Sequence, residues 1–245
     1  MSGHSHWAGI KFKKAITDKR KGKIFTKLAQ QITVATREGS DIKLKLAVEK
    51  AKQANLPSAN IERAIKRGTG ELKGAKLEDV VYEGFGPGKV AILVSATTDN
   101  KNRTTSEVRN TLERNGGKLS GAGSVAWLFD QKGLIRVEVG DRDREGLELA
   151  AIDAGAEDVS EEENEVVVYT KAEDLEKIKK ALEKEGVKIT AVEISLIPKN
   201  SVKITEPVQT KKVLKLMDEL DNLEEVGSVS ANFDIPSELI KKVEK

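Results

Sequence analysis

Cysteine is absent from the 245 residues. That removes three kinds of chemistry at once: a disulfide scaffold, a thiolate zinc site and a cysteine nucleophile. Histidine is nearly absent too. The only two, His4 and His6, stand at the very start of the sequence. An imidazole base would have to act from that segment, apart from the sheets where pockets usually form. His4 and His6 make an H-x-H pair, a fragment of a metal site, but no third ligand is evident. Neither a metal nor a cofactor is expected. Aromatic residues amount to 4%. No apolar run approaches the ~20 residues that cross a bilayer. The basic N-terminus lacks the apolar stretch of a secretory signal. The expectation is a cytoplasmic protein with no membrane partner.

What is abundant is charge, at 33% of residues. The formal net charge of +2 hides a division. Residues 1–76 hold 18 Lys/Arg against 6 Asp/Glu, a balance of +12; the rest hold 24 against 34, a balance of −10. Much of the excess lies in GHSHWAGIKFKKAITDKRKGKIFTK, where Lys11, Lys13, Lys14, Lys19, Arg20, Lys21, Lys23 and Lys27 are opposed only by Asp18. So dense a run repels itself, and a phosphate backbone neutralises it. A solvated basic tail is the bland alternative. Trp7, Ile10 and Phe12 interleave with the cations and add stacking to charge, which favours a nucleic-acid grip.

The periodicity gives an α+β protein. Residues 1–22 show no steady apolar period and read as an extended or weakly helical arm. From Lys23, Ile24, Leu28, Ile32 and Ala35 recur at helical spacing until Gly39. A second helix carries Leu44, Ala47, Val48 and Ala51, and a third, after Pro57, carries Ile61, Ala64 and Ile65. These make a three-helix bundle whose exposed faces carry further cations, Arg63, Lys66 and Arg67 among them. A glycine- and lysine-rich linker ends this first domain, 1–76. Strands then alternate with helices. Val80–Glu83, Lys89–Thr97 and Ser124–Asp130 read as strands, the last with Trp127 in the core, and Thr104 to Glu107 reads as a capping box. Residues 133–200 follow a βαββαβ order, the ferredoxin-like pattern. The helix and strand after Pro198 complete the earlier unit. Element counting therefore predicts a discontinuous α/β domain, 77–132 and 201–245, with 133–200 inserted into it.

Other motifs carry less. GFGPGK, Gly84 to Lys89, fails the spacing of a phosphate-binding loop and reads as a hairpin turn. The loop 98–104 leads into a helix N-terminus, where Lys101 and Arg103 could join free N–H groups around an anion; a capping turn is the equal alternative. The acidic run 157–165 fits no metal loop and reads as a solvated turn.

GHSHWAGIKFKKAITDKRKGKIFTKL, NLPSANIERAIKRGTG, YEGFGPGKVAILV, TDNKNRTTSEVR, NGGKLSGAGSVAWLF, AGAEDV and ANFDIP together resemble the YebC family, which includes the mitochondrial translational activator of cytochrome c oxidase. The resemblance runs nearly end to end, with departures at His6 and Phe12. It implies three domains: a helical N-terminal bundle and two ferredoxin-like α/β domains, the third inserted into the second. It also implies a non-enzymatic regulator of gene expression.

Three functional expectations follow. The first is a DNA-binding transcriptional regulator that holds phosphates through the arm and bundle cations named above, with His4 and Trp7 touching bases or sugars. The second is a translation factor that grips ribosomal RNA and associates with the ribosome, acting on proline-rich nascent chains in some family members. Phosphate contacts carry no identity, so the residues alone leave these two open. The third is an enzyme with a carboxylate site built from Asp99, Glu107 and Glu83. Nothing suggests a coiled coil or a long exposed apolar strand, so a monomer is expected.

Overall fold

The computed structural model describes residues 18–72, 77–139, 143–162 and 165–243; of 18–21 only the backbone is described. The first unit is helical: α1, Asp18–Arg37; α2, Asp41–Gln53; α3, Ser58–Gly68. Helix α1 thus begins five residues earlier than the apolar period indicates. Leu28 and Ile32 of α1, Ala47 and Ala51 of α2, Leu56, and Ile61 and Ala64 of α3 form one buried cluster. Gly39 closes α1 in a left-handed conformation (φ +67°), and the Ser40 side chain caps α2. The small residues set the helix spacing. A Cβ on Gly68 would stand 2.5 Å from Thr36 Cβ and 2.6 Å from the Thr33 carbonyl oxygen. The Thr33 hydroxyl donates to the Ala64 carbonyl at 3.1 Å, tying α1 to α3 at the same crossing.

The second unit is a four-stranded antiparallel sheet with strand order β3-β1-β2-β9. Its strands are β1, Glu78–Phe85; β2, Ala91–Thr98; β3, Lys118–Ser120; and β9, Val226–Ala231. Helices α4, Lys101–Arg114, and α7, Pro207–Asp221, cover one face. Alternation decides which residues they meet. Ile92, Val94 and Ala96 of β2 point into a core with Val108 and Leu112 of α4 and Val213, Leu216, Met217 and Leu220 of α7. Strands β8, Val202–Lys203, and β10, Phe233–Asp234, pair in parallel, and helix α8, Ser237–Val243, buries Ile240 in the same core.

Between β3 and α7 the chain builds a separate sheet. It comprises β4, Phe129–Glu138; α5, Arg144–Asp153; β5, Asp158–Glu161; β6, Glu165–Lys171; α6, Leu175–Lys184; and β7, Ile189–Pro198. The order β5-β6-β4-β7, antiparallel throughout, is the ferredoxin-like arrangement. Strands β4 and β7 run side by side from Phe129 opposite Pro198. Lys199 extends this neck, its N–H donating to the Leu128 carbonyl at 2.8 Å and its ammonium pairing with Asp130 at 3.2 Å.

One sequence expectation is corrected here. Ser124–Asp130 is not a strand. Residues 126–128 form a short 3-10 turn, β4 starts at Phe129, and Trp127 is 65% exposed rather than buried. The cause is Glu83, 40 residues upstream. Its buried carboxylate accepts the N–H groups of Gly123 (2.6 Å), Val125 (2.7 Å) and Ala126 (2.9 Å), which a strand would spend on a neighbour. Helix α4 likewise starts at Lys101, capped by Asn100, not at the Thr104 box. Thr104 is fully buried instead.

The bundle's tight crossing yields a paired prediction. Gly68→Ala should destabilise the chain by about 1–3 kcal/mol, because two of the atoms it meets are fixed by backbone. Gly22→Ala, in α1 with nothing within 4 Å, should stabilise it by up to about 1 kcal/mol through helix propensity. Amide hydrogen exchange in α1 and α3 of the two variants checks both signs.

Candidate nucleic-acid interface

The structure sorts the cations of the basic third by what they already hold. Lys23 donates to the carbonyl of Asn222 at 3.4 Å and Lys27 to that of Asp221. Both carbonyls end α7, where a helix presents unpaired acceptors and negative potential. Arg37 bonds the Leu77 carbonyl. Lys43 pairs with Glu38 at 2.8 Å. Lys45 pairs with Glu176 of α6, and Lys50 approaches Glu193 of β7 to 3.9 Å. A reverse bridge runs from Lys179 of α6 to Glu49 at 2.9 Å. Much of the charge that looked available is therefore spent on docking the bundle to both sheets.

Arg63, Lys66 and Arg67 are different. All three are exposed on α3, and none has a side-chain partner among the described residues. Arg63 and Arg67 stand one turn apart and share a face. Together with Asn60, Phe25, Leu56 and Ala64 they line a cleft of about 190 Å³ between α1 and α3. Apolar and aromatic groups form its walls, and guanidinium and amide groups its rim.

Of the other residues singled out in the sequence, His4, Trp7, Lys11, Lys13 and Lys14 lie outside the described residues, and Lys19, Arg20 and Lys21 fall in the opening turn of α1. Lys101 is exposed in the first turn of α4, with no side-chain partner among the described residues. Arg103 is engaged. It pairs with Asp99 at 2.7 Å and with the largely buried Glu225. Hydrogen bonds to those two carboxylates hold the guanidinium pKa above its ordinary value. Glu225 also accepts from the Thr104 hydroxyl, which lies 2.9 Å from that of Thr98. The loop 98–104 is thus a closed network joining β2, α4 and the start of β9, and Arg103 has two internal anions in place of a phosphate. The acidic run 157–165 is answered in the same way. Glu162 and Glu165 face the buried Arg136 at 3.3 and 3.4 Å, and Glu161 faces Arg144 at 3.4 Å.

Of the carboxylates considered for catalysis, Glu83 lies opposite Leu93 while Asp99 follows Thr98 at the far end of β2, so these two do not meet. Asp99 is held by Arg103 and Glu83 by backbone N–H groups. Burial pushes the Glu83 carboxyl up, but the N–H groups of Val125, Gly123, Ala126 and Ser124 outweigh it and leave the pKa below the ordinary 4.5.

These observations define a class: a three-part α+β protein with a helical bundle that carries uncompensated cations and docks against two antiparallel α/β units. The chain belongs to the TACO1/YebC family. Residues 5–71 match the family's N-terminal domain and residues 77–233 its second and third domains. A "probable transcriptional regulatory protein" of Halothermothrix orenii is 47% identical over 250 residues, covering 99% of each chain. One from Caldanaerobacter subterraneus is 50% identical over 244 residues, covering 97% of this chain and all of its own. The crystal structure of a conserved hypothetical protein, Aq1575, of Aquifex aeolicus superimposes with a TM-score of 0.86 at 47% identity, over 95% of this chain and 98% of that one. No helix among the described residues is long and apolar enough to cross a membrane.

Glu83 supplies the prediction of this section. Glu83→Gln should cost about 1.5–3 kcal/mol, the worth of hydrogen bonds to a charged acceptor. The depressed folded pKa makes the wild-type contribution fully present above the ordinary 4.5. It is lost as pH falls from there through the folded value. Urea unfolding between pH 7 and pH 3 should show this acid-labile component in the wild type and not in the variant.

Proposed function

We propose that the chain is a non-enzymatic regulator of gene expression that binds nucleic acid through its basic N-terminal third. The observation that carries the reading is the set Arg63, Lys66 and Arg67, exposed and uncompensated on one short helix while neighbouring cations are paired internally. Three exposed cations without side-chain partners, grouped on one eleven-residue helix, suit a polyanion. The relatives' shared description as transcriptional regulatory proteins supports the regulatory role. The engagement of Glu83 and Asp99 by internal partners argues against the carboxylate enzyme.

DNA is the target the relatives' description favours. One observation favours RNA instead. Arg63 and Arg67 of α3 border a cleft lined in part by Phe25, and a recess with an aromatic wall suits the unstacked bases of RNA loops. The ribosome-bound variant of the reading draws on the same surface.

The test is the salt dependence of binding. With about six phosphate contacts, the log–log slope for duplex DNA should lie near −5. Changing Arg63, Lys66 and Arg67 together to glutamine should flatten it by roughly 2–3. Changing Lys45 and Lys50 to glutamine should leave it nearly unaltered, because their charges are already met. Filter binding or fluorescence anisotropy with DNA and RNA reads all three slopes. A wild-type slope near zero for both nucleic acids overturns the proposal.

A further inference from the structure

The cleft between α1 and α3 has a composition that charge alone does not require. Phosphate neutralisation needs cations on a surface, not an aromatic wall. Here Phe25 is half-buried against Leu56 and Ala64, and Asn60 and the two arginines stand at the rim. Its volume, about 190 Å³, lies below the roughly 300–1,000 Å³ of sites that take drug-sized ligands. That is room on the scale of one planar ring system.

Three of the four polar lining residues have a matching role; the fourth, Thr26, already donates to the Gly22 carbonyl at 3.1 Å. A guanidinium is planar, stacks on a ring and meets phosphate oxygens through a fork of N–H donors. The Asn60 amide offers a donor and an acceptor side by side, the pattern that pairs with a base edge. Its side chain has no partner among the described residues. Phe25 supplies an apolar ring of the kind on which bases stack. An acidic peptide would satisfy Arg63 and Arg67 but would leave the ring and the amide without a purpose.

We propose that this cleft is a nucleotide subsite: it receives one unstacked base of a single-stranded nucleic acid, whose flanking phosphates are held by Arg63 and Arg67. The inference rests on the nucleic-acid reading above and narrows it to strands whose bases are free. A duplex must first break its stack to fill the cleft, whereas a loop or single strand has already done so.

The test uses the full chain and 12-nucleotide probes of matched length, as single-stranded RNA, single-stranded DNA and duplex DNA, at about 0.15 M salt. The expected result is tighter binding of a single strand than of duplex. Asn60→Ala and the charge-preserving Arg63→Lys should each weaken single-strand binding about fivefold or more, in line with the loss of one stacked or bidentate contact. Asn60→Ala should leave duplex binding unmoved. A 5-bromouridine probe should crosslink to a peptide containing Phe25 or Asn60. Whichever of RNA and DNA binds more tightly identifies the source of the strand. Because Asn60 is half-exposed and Arg63 exposed, both variants should keep the wild-type circular dichroism. Equal binding of single strand and duplex, with both variants neutral, overturns the subsite while a steep salt slope leaves the wider reading intact. Equal displacement of the probe by polyglutamate overturns it too. Failure of every nucleic acid to bind removes both proposals together.

Discussion

The structure depends on how the excess positive charge of the first 76 residues is answered. A self-repelling bundle gains little from packing alone. Its core is small, built largely on alanines and a few branched side chains. Docking to the acidic remainder fixes where that bundle sits. Lys23 and Lys27 close the carbonyl end of α7, and Lys45, Glu49 and Lys50 meet Glu176, Lys179 and Glu193. Pairs this exposed are individually worth little, about 0–1 kcal/mol each. Spread over two separate sheets, they set orientation more than stability. The same contacts engage cations that would otherwise face an outside anion, and so the proposed nucleic-acid surface is what they leave.

Buried carboxylates do comparable work inside the second unit. Glu83 holds the 121–128 turn against β1, and Glu225 gathers Arg103 and Thr104 to fasten α4 beside β9. Each is a charge taken out of water and made tolerable by several donors. The turn that Glu83 holds leads directly into β4 and so into the inserted sheet, whereas Glu225 ties together elements of one unit. Further buried polar groups, Arg136 of β4 and Thr111 of α4 among them, sit within the units themselves.

The local parts of this design were legible in the residues. Helical spacing from Ile24 to Ala35, the glycine at 39 and the βαββαβ order after Gly133 each predict an element that forms. The failures share one origin. SVAWLFD alternates like a strand, and only the carboxylate of Glu83, distant in sequence, makes it a turn with Trp127 outside. Lys101 and Arg103 look equivalent beside a helix N-terminus, and only Glu225, more than a hundred residues on, separates them. The bundle's cations are likewise indistinguishable until their partners on α6, α7 and β7 are in place. The cleft was legible only in part: Arg63 and Arg67 declare themselves by charge, but no local pattern singles out Phe25 or Asn60.

The neck between the two sheets has one more implication. Because β4 leaves and β7 returns as hydrogen-bonded neighbours at Phe129 and Pro198, the ferredoxin-like unit begins and ends at nearly one point in space. A cassette with adjoining ends can be exchanged, enlarged or deleted while its host keeps the same backbone path, since a short reverse turn would bridge the gap at small entropic cost. The architecture therefore lets this lobe diversify without rerouting its host, provided that Glu176, Lys179 and Glu193, which meet the bundle, are kept.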